Sequence, residues 1–367
     1  MSQKFLESHV YAALVYGSPV RGLSPSRAII CEPFTRLAGY EKMTTVPAQS
    51  RATSRRPAAS SHVEIRPFLK WAGGKRQLLP QLARFQPPRF GAYCEPFLGS
   101  GALFCDLQNR GLLSGRRAVL MDNNSDLVGC WLAVRREAPR VIRSLRRLAA
   151  AHASDPNDTY YRVRDERFNP GRRKLSLTDG RWGERYTPGL AAMLIYLNRT
   201  GFNGLFRLNA AGGFNVPIGR YVNPRICDAG NLRRVSDVLS RPGVEIREDD
   251  FESVCEWAMP GDFVYFDPPY APVSATASFT AYTSGGFPSA SQCRLQQVVI
   301  ELARRGCYVL LSNSITPVIT ALYVDNLVAR AAGLRAYKVS ARRSINSRGS
   351  ARGLVGEYLI SNIQRRD

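Results

Sequence analysis

The stretch Phe263–Tyr270, which reads FVYFDPPY, decides the fold of this chain. Its first four residues form an apolar run of β-branched and aromatic side chains, which is typical of a buried parallel strand. Its last four residues place a carboxylate, two prolines and an aromatic ring directly after that strand. Open α/β sheets bind ligands at the carboxyl ends of their strands, so these four residues are candidates for a functional site.

The loop Asp267–Tyr270 offers hydrogen-bond acceptors rather than donors. Each proline fixes φ and lacks an N–H group, so the loop presents carbonyl oxygens and the carboxylate of Asp267. The amino group of a nucleobase carries two N–H donors that suit such a loop, and Tyr270 could stack on the same base. The alternative is a Pro-Pro turn that only ends a strand.

The composition indicates a polyanionic partner. The 367 residues carry a net charge of +22 and have a pI of about 10.2. This excess of positive charge favours nucleic acid as the partner; the alternative is a generally basic proteome with Arg-rich surfaces. The eight Cys are spaced singly and only three His are present, so we expect reduced cysteines, no metal site and a cytoplasmic protein. No apolar run reaches the roughly 20 residues of a membrane span, and we expect no membrane contact.

Residues 1–62 differ in composition from the rest of the chain. They end in SRATSRRPAASS, a segment rich in Ser, Ala, Arg and Pro, which is typical of a flexible extension. We expect this extension to be disordered. Met43 is a second candidate for the initiator.

Short apolar runs alternate with helical segments from Phe68 onward. The alternation predicts an α/β fold with a mostly parallel, seven-stranded sheet and helices on both faces. The last two runs are joined by the basic Ser/Gly/Arg loop Arg342–Gly353, so we expect them to form an antiparallel edge hairpin. The predicted strands are Tyr93–Phe97, Ala118–Met121, Val244–Ile246, Phe263–Phe266, Tyr308–Leu311, Ala336–Val339 and Tyr358–Ile360, with predicted helices that include Ser100–Gln108 and Gln292–Arg304.

Residues 131–240 interrupt this alternation. Their apolar runs, Trp131–Leu148 and Leu190–Asn198, have helical periodicity, arginine is dense, and glycines cluster at 201–219. We interpret the segment as an inserted, mainly helical domain with a glycine-containing β-hairpin. Residues 63–130 and 241–367 then form the domain that contains the sheet.

A second motif, Glu95–Gly101 (EPFLGSG), coincides with the end of the first predicted strand. A strand, a turn with spaced glycines and a helix start allow a ligand to approach the backbone closely. Asp122 ends the next strand, where a carboxylate can accept hydrogen bonds from ribose hydroxyls. The third glycine of a dinucleotide fingerprint is missing, so a nucleoside without a pyrophosphate fits better. A strand–turn–helix unit without a ligand is the alternative.

Two further motifs are ambiguous alone. Lys70–Lys75 (KWAGGK) places two cations and a Trp around a Gly-Gly turn, which suits a carboxylate or phosphate or simply leads into a helix. Leu197–Asn209 and Gly213–Tyr221 interleave amides, arginines and aromatics on short turns. Arg pairs with guanine, Asn pairs with adenine, and aromatic rings wedge between or stack on bases. The alternative is a hairpin with core aromatics and solvated arginines.

Together these motifs resemble the Dam family of DNA adenine-N6 methyltransferases, the D12 class in its alpha arrangement. KWAGGK, EPFLGSG, the insert and DPPY stand in the order of the family. NRTGFNGLFRLN, GGFNVPIGRY, DPPYAPVSATASFTAY, LLSNS and ARRSINS resemble further family segments, and the likeness spans roughly residues 66–363. The resemblance implies a Rossmann-like, S-adenosylmethionine-dependent methyltransferase fold in which residues 131–240 are the target-recognition domain.

The resemblance also implies a set of site residues. The expected catalytic residues are Asp267, Pro268 and Tyr270. The expected S-adenosylmethionine contacts are Trp71, Lys75, Phe97, Gly99, Gly101, Asp122, Asp250, Phe251 and Asp267. The expected DNA contacts are Lys70, Phe202, Asn203, Leu205, Arg207, Pro217, Arg220 and Tyr221. Among them, Lys70 and Arg207 are expected to read bases, while Phe202 and Asn203 insert into the duplex beside the flipped adenine.

The implied activity is methyl transfer from S-adenosylmethionine to N6 of a flipped-out adenine in double-stranded DNA, with GATC as the expected site. Asp267 and the carbonyl of Pro268 are expected to accept hydrogen bonds from N6 while Tyr270 stacks on the base. The chain has no Pro-Cys dipeptide, which argues against covalent cytosine-C5 chemistry. We expect a monomer in the cytoplasm of a bacterial or phage-infected cell.

The sequence departs from the family at two places and leaves rival functions open. Phe202 stands where the best-known members carry Tyr, and LSNSIT stands where many carry SNHDT, so their His-Asp pair is absent. One rival is amino methylation of cytosine N4 or of RNA, which the insert argues against. The other is a DNA-binding protein of the same fold without catalysis, which the intact DPPY and Lys75 argue against.

Overall fold

The computed structural model describes residues 64–71, 73–177, 181–271, 287–342 and 354–366. Within them lies one seven-stranded sheet with the order β3-β2-β1-β4-β5-β7-β6. The strands are β1 (Tyr93–Glu95), β2 (Ala118–Asp122), β3 (Val244–Glu248), β4 (Phe263–Phe266), β5 (Tyr308–Ser314), β6 (Arg335–Arg342) and β7 (Leu354–Ser361). The predicted α/β fold is confirmed, and each predicted strand overlaps an observed one.

Strands β1 to β5 pair in parallel, and the last two strands complete the sheet in the opposite sense. β7 runs antiparallel between β5 and β6, so the predicted hairpin is present with β6 at the edge and β7 inside the sheet. The loop at 343–353 and the predicted extension at 1–62 lie outside the described residues. So does 272–286, which carries most of the family-like segment after DPPY.

Helices fill the intervals between the strands, and all four predicted helical segments overlap observed ones. The α-helices are α1 (Leu79–Ala83), α2 (Ala102–Asn109), α3 (Ser125–Ser154), α4 (Pro156–Tyr161), α5 (Asn169–Ser176), α6 (Pro188–Thr200), α7 (Ala229–Leu239), α8 (Val254–Trp257), α9 (Ser289–Arg305), α10 (Pro317–Ile319) and α11 (Leu327–Ala331). Short 3₁₀-helices span Lys75–Gln77, Gly183–Arg185, Phe202–Gly204 and Phe251–Ser253, and π-helices span Arg162–Phe168 and Thr320–Val324.

The sheet is buried on both faces because successive side chains of each strand point to opposite sides. In β2, Ala118 and Leu120 belong to one buried cluster, whereas Val119 and Met121 belong to the other. The first cluster continues through the buried side chains of α3, α6 and α7. The second is covered by α9. The helical segment therefore shares its core with one face of the sheet.

Helix α3 is bent, and the bend fastens α7 to it. Pro139 lies inside the helix and Glu137, two residues earlier, has non-helical dihedrals of φ −138° and ψ 37°. A proline lacks the N–H that would bond to the carbonyl four residues before it, here that of Arg135. That carbonyl instead accepts hydrogen bonds from Ser236 at 3.0 Å and Ser240 at 3.3 Å.

A buried ion pair and the hydrogen bonds around it connect α3 and α5 with Tyr186 and Gly212. The carboxylate of Asp126 in α3 meets the guanidinium of Arg172 in α5, with a shortest N–O distance of 2.6 Å. Arg172 also donates to the carbonyl of Gly212 at 2.5 Å, and Tyr186 donates to Asp126 at 3.2 Å. Asp126 is 2% exposed and Arg172 7%, so neither charge can be hydrated if its partner is lost.

Replacing Arg172 alone by Met should lower the free energy of unfolding by about 3–5 kcal/mol, because Asp126 remains buried without its partner. The double variant Asp126→Leu/Arg172→Met should recover most of that loss, since no buried charge remains. Urea denaturation of the wild type and both variants measures the difference. A double variant as unstable as Arg172→Met would contradict this explanation.

Candidate active site and nucleic-acid interface

The predicted site residues converge at the carboxyl ends of four neighbouring strands. Glu95 ends β1, Asp122 ends β2, Asp250 follows β3 and Asp267 follows β4. The sheet order puts β2 on one side of β1 and β4 on the other. The chain continues from β1 toward β2 and from β4 toward β5, in opposite directions along the sheet. A crevice therefore opens between the ends of β1 and β4, which is where sheets of this kind bind ligands.

At the centre of this edge, Asp267 forms an ion pair with Lys75. Nζ of Lys75 lies 2.8 Å from Oδ1 of Asp267. The side chain of Asp267 is 19% exposed and that of Lys75 is 7% exposed. Lys75 also donates to the carbonyl of Gly73 at 2.6 Å. Burial raises the pKa of Asp267 to about 6, against the lowering effect of Lys75. Apart from Lys75, no described residue offers the buried Oδ1 of Asp267 a hydrogen-bond donor.

The backbone of the DPPY loop is held by side chains that the sequence did not reveal. Gln292 donates to the carbonyl of Pro269 at 3.2 Å and accepts from Asn313 at 3.0 Å. The N–H of Ala271 donates to Asn313 at 3.3 Å, and its carbonyl accepts from Ser314 at 2.7 Å. These contacts come from α9 and β5. Asn313 and Ser314 belong to LSNSIT, so this segment fixes the loop without the His-Asp pair.

Tyr270 is held at its hydroxyl as well as at its backbone. The hydroxyl donates a hydrogen bond to Oε2 of Glu357 in β7 at 2.7 Å. The ammonium of Lys75 lies 4.5 Å from the ring centroid. Burial, with Asp267 and Glu357 nearby, raises the pKa of Tyr270 well above its usual range. Pro268, which lies between Asp267 and Tyr270 in the sequence, is buried. Glu357 was not among the predicted site residues.

The turn after β1 is built so that backbone can be approached closely. Gly99 and Gly101 have φ of 47° and 62°, values that side chains with a Cβ rarely adopt. A Cβ on Gly99 would lie 3.1 Å from Trp71, and one on Gly101 would lie 2.8 Å from Trp131. Trp71 in turn stacks on Phe206 of the helical segment, with ring centroids 5.5 Å apart. Because Trp71 belongs to KWAGGK and Gly99 to EPFLGSG, these two motifs are in contact.

Asp122 faces the same turn. Its Oδ2 accepts from the N–H of Gly99 and its Oδ1 from the N–H of Asn124, each at 3.1 Å. Burial raises the pKa of Asp122 to about 6, partly opposed by these backbone donors. Each oxygen of a carboxylate has a second lone pair, so hydroxyl groups of a ligand have an acceptor here.

An aromatic group lines the β1 and β3 side of the site. Phe97 and Phe251 stack with ring centroids 5.4 Å apart, and Phe287 contacts both. The side chain of Asp250 accepts from the N–H of Glu252 at 3.2 Å. Asp250 thus starts the 3₁₀ turn that positions Phe251.

A third carboxyl group, that of Glu95, is sealed beneath this edge. Its side chain is 3% exposed and accepts from the hydroxyl of Tyr93 at 2.9 Å. Burial raises the pKa of Glu95 to about 8, and the carboxylates of Asp267 and Asp122 add to the rise. Glu95 is therefore mostly protonated at neutral pH, which keeps the number of buried negative charges at the edge low.

The hairpin of residues 201–219 is connected to Lys70 by hydrogen bonds. Asn198, 1% exposed, exchanges hydrogen bonds of 2.7 Å with the backbone N–H and carbonyl of Lys70 and donates to the carbonyl of Gly204 at 2.9 Å. Arg199 holds the carbonyl of Phe68 at 2.8 Å. The side chain of Lys70 lies over Tyr221, 4.0 Å from the ring centroid.

The hairpin exposes several of the predicted DNA contacts. It consists of two isolated bridges, Gly201 with Ile218 and Leu208 with Phe214, rather than a continuous ladder. Phe202 is 42% exposed and Tyr221 38%. Both line a cavity of about 460 Å³ together with Asn203, Ile218, Gly219 and Arg220. Asn203 has a φ of 53°, a left-handed conformation that Asn tolerates better than most residues.

The remaining predicted contacts have structural partners within the hairpin. Arg207 donates to the side chain of Asn215 at 2.8 Å while its guanidinium stays exposed. The carbonyl of Pro217 accepts from the N–H of Phe202 at 2.9 Å. Leu205 is partly buried against the core. All eight predicted DNA contacts therefore lie on or against one hairpin, and Lys70 reaches it through Asn198.

Two kinds of feature are absent from the described part of the chain. None of its helices combines the length and hydrophobicity that a bilayer-spanning segment requires. No three or more His, Cys, Asp or Glu side chains of these residues are grouped so that they could hold a metal ion.

Comparison with known proteins places this geometry in context. The profile of the family described as D12 class N6 adenine-specific DNA methyltransferase matches residues 71–345. A type II methyltransferase of Lactococcus lactis subsp. cremoris is 36% identical over 82% of this chain and 96% of its own length. A type II methyltransferase of Methanocaldococcus jannaschii is 38% identical over 82% and 100%. The DNA adenine methylase of Escherichia coli K12 is 35% identical over 80% and 94%.

The buried Glu95 should make stability depend on pH. Its pKa is about 8 in the folded protein and about 4.3 in an unfolded chain. Between these values the folded state binds more protons, so stability falls as pH rises, by up to about 1.4 kcal/mol per pH unit. In Glu95→Gln the free energy of unfolding should fall less steeply between pH 5 and 8. Denaturation at several pH values measures the slope, with exposed Glu256→Gln as the control. An unchanged slope would show that Glu95 titrates alike in both states.

Proposed function

Since the chain belongs to the D12 class of N6 adenine-specific DNA methyltransferases, we propose that it methylates N6 of a flipped-out adenine in double-stranded DNA, within GATC and with S-adenosylmethionine as donor. The observation that carries the proposal is the desolvated carboxylate of Asp267, held in the DPPY loop beside Tyr270. GATC is supported by the likeness of NRTGFNGLFRLN and GGFNVPIGRY to family segments.

The groups at the sheet edge fit S-adenosylmethionine. The lone pairs of Asp122 suit the ribose hydroxyls, and Asp267 places negative charge where a sulfonium is favoured. The turn of Gly99 and Gly101 is packed against Trp71 and Trp131 and is proposed to offer its backbone to the cofactor, and the stacked pair of Phe97 and Phe251 offers an aromatic surface for the adenine ring. Trp71, Lys75 and Asp250 complete the proposed contacts. When bound, the cofactor supplies an electrophilic methyl group.

The residues of the chain then have separate tasks in the reaction. The base leaves the duplex so that N6 becomes accessible, and Tyr270 stacks on it. The carboxylate of Asp267 and the carbonyl of Pro268 accept hydrogen bonds from the two N–H groups of N6. These bonds draw the nitrogen lone pair out of conjugation with the ring and orient it. Most of the acceleration then comes from positioning and preorganised charge.

We propose residues 131–240 as the target-recognition domain. Phe202, whose side chain is exposed, and Asn203, with its left-handed backbone, both line the cavity at the start of the hairpin, and we propose that they enter the space that the flipped base leaves. Lys70 and Arg207 are proposed to read base edges, and Leu205, Pro217, Arg220 and Tyr221 to contact the DNA around them. Because Asn198 binds both Lys70 and the hairpin, these readers keep a fixed spacing.

Incubating unmethylated DNA with the protein and S-adenosylmethionine should yield N6-methyladenine, and base-resolved sequencing should find it within GATC. Asp267→Ala should slow single-turnover transfer by about 100-fold or more, because an acceptor at the reacting nitrogen is lost. Asp237→Ala, which removes an exposed carboxylate from α7, is the matched control.

Methylation at another adenine context would retain the reaction and refute GATC. Methylated cytosine would favour the cytosine N4 alternative. DNA binding without any methylation would favour a protein that has kept the fold but lost catalysis. Full activity of Asp267→Ala would refute the role given to this carboxylate.

Arg207→Ala should relax the preference for one base pair of the site. A lost base contact of Arg costs about 1–3 kcal/mol of discrimination at that pair and little elsewhere. The ratio of kcat/KM on cognate and singly substituted duplexes measures it, with exposed Arg173→Ala as the control. Uniform weakening on all duplexes would identify Arg207 as a phosphate contact instead.

A further inference from the structure

Glu357 reaches the DPPY loop from a distant part of the chain. It lies in β7, opposite Ser314 of β5 and Val339 of β6, and it is 7% exposed. A buried carboxylate needs compensating donors, and the hydroxyl of Tyr270 supplies one at 2.7 Å. The strand pairing places Glu357 beside Ser314, which holds the carbonyl of Ala271 in the same loop.

This contact restrains the ring of Tyr270 at the end farthest from its backbone. A tyrosine side chain has two main torsions, and a hydrogen bond at the hydroxyl together with fixed backbone on both sides leaves the ring plane little freedom. The backbone is fixed by the contacts of Pro269 and Ala271 with Gln292, Asn313 and Ser314.

The two faces of the ring are not equivalent. The ammonium of Lys75 lies 4.5 Å from the ring centroid and pairs with Asp267 at 2.8 Å. With Lys75 over one face, the other face is the one on which a flat ligand can stack. The tilt of the ring therefore sets the direction from which such a ligand meets Asp267.

We infer that Glu357 is a positioning residue for methyl transfer: by holding the Tyr270 hydroxyl, it fixes the ring plane on which the flipped adenine stacks and so aligns N6 with Asp267. The inference rests on the proposed function. It assigns to β7 a part in the reaction in addition to its part in the sheet.

Four variants test the role. Tyr270→Phe removes only the hydroxyl, and Glu357→Leu removes only the acceptor. Each should lower the single-turnover rate about tenfold, the factor that corresponds to 1.4 kcal/mol of lost alignment. The double variant Tyr270→Phe/Glu357→Leu should also lose about tenfold, because both changes break one contact. Glu357→Gln keeps a carbonyl acceptor and should stay within about twofold of the wild type.

The measurements separate positioning from folding and binding. Single-turnover rates on a GATC duplex report the alignment of the reacting groups. The KM for S-adenosylmethionine, from steady-state rates, reports cofactor binding and should stay unchanged. Melting temperatures verify that each variant is folded. A double variant that loses about 100-fold, or a Glu357→Gln variant as slow as Glu357→Leu, would overturn the inference. Tyr270→Phe at the wild-type rate would overturn it whatever the stability of the leucine variant.

Failure of the proposed function gives a different result. A folded wild-type protein that methylates no adenine refutes the activity itself, and the role of Glu357 falls with it. A wild type that methylates normally and a folded Glu357→Leu variant that matches it would refute the role of Glu357 alone.

Discussion

A carboxylate that is kept out of water at the end of β4 is the constraint on which the rest of the site depends. Desolvation disfavours the charge of Asp267, and an ammonium group has to stand beside it to offset that cost. Lys75 comes from a turn almost 200 residues earlier in the chain. The sheet order brings the two together, because β1 and β4 are neighbours although seven α-helices and the strands β2 and β3 separate them in sequence. Low hydration raises the pKa of Asp267, and the ammonium of Lys75 favours its charged form.

The proposed cofactor contacts and the proposed DNA contacts are connected through direct packing and hydrogen bonds. Trp71 touches the glycine turn and stacks on Phe206, and its neighbour Lys70 is bound by Asn198. Lys70 is therefore bound to the hairpin through Asn198, and Lys75 is bound to Asp267 at the sheet edge. A shift of the hairpin on binding DNA would be transmitted to Lys75 through only a few residues of backbone.

The strands and the DPPY and EPFLGSG motifs were predictable because their information is local. β4 was predicted with its full bounds, since a run of buried residues ends sharply at Asp267. Glu357, Gln292 and Asn313 were not predictable as site residues, because each acts on residues 23 to 87 positions away. LSNS was recognised as a family-like segment, but only the strand pairing shows that it holds a loop. The hairpin was predicted in the right place, yet its irregular pairing follows from glycines and Asn203 rather than from alternating side chains.

The position of β7 has a consequence for how the protein forms during synthesis. β7 is the last strand in chain order, yet it occupies an internal place between β5 and β6. Until it emerges from the ribosome, β5 has an unpaired edge and β6 has no partner in the sheet. Five parallel strands can assemble first, but the edge of β5 remains open to pairing with other chains. The late arrival of one strand thus both closes that edge and delivers Glu357, so a nascent chain that has not yet formed the whole sheet holds an incomplete site.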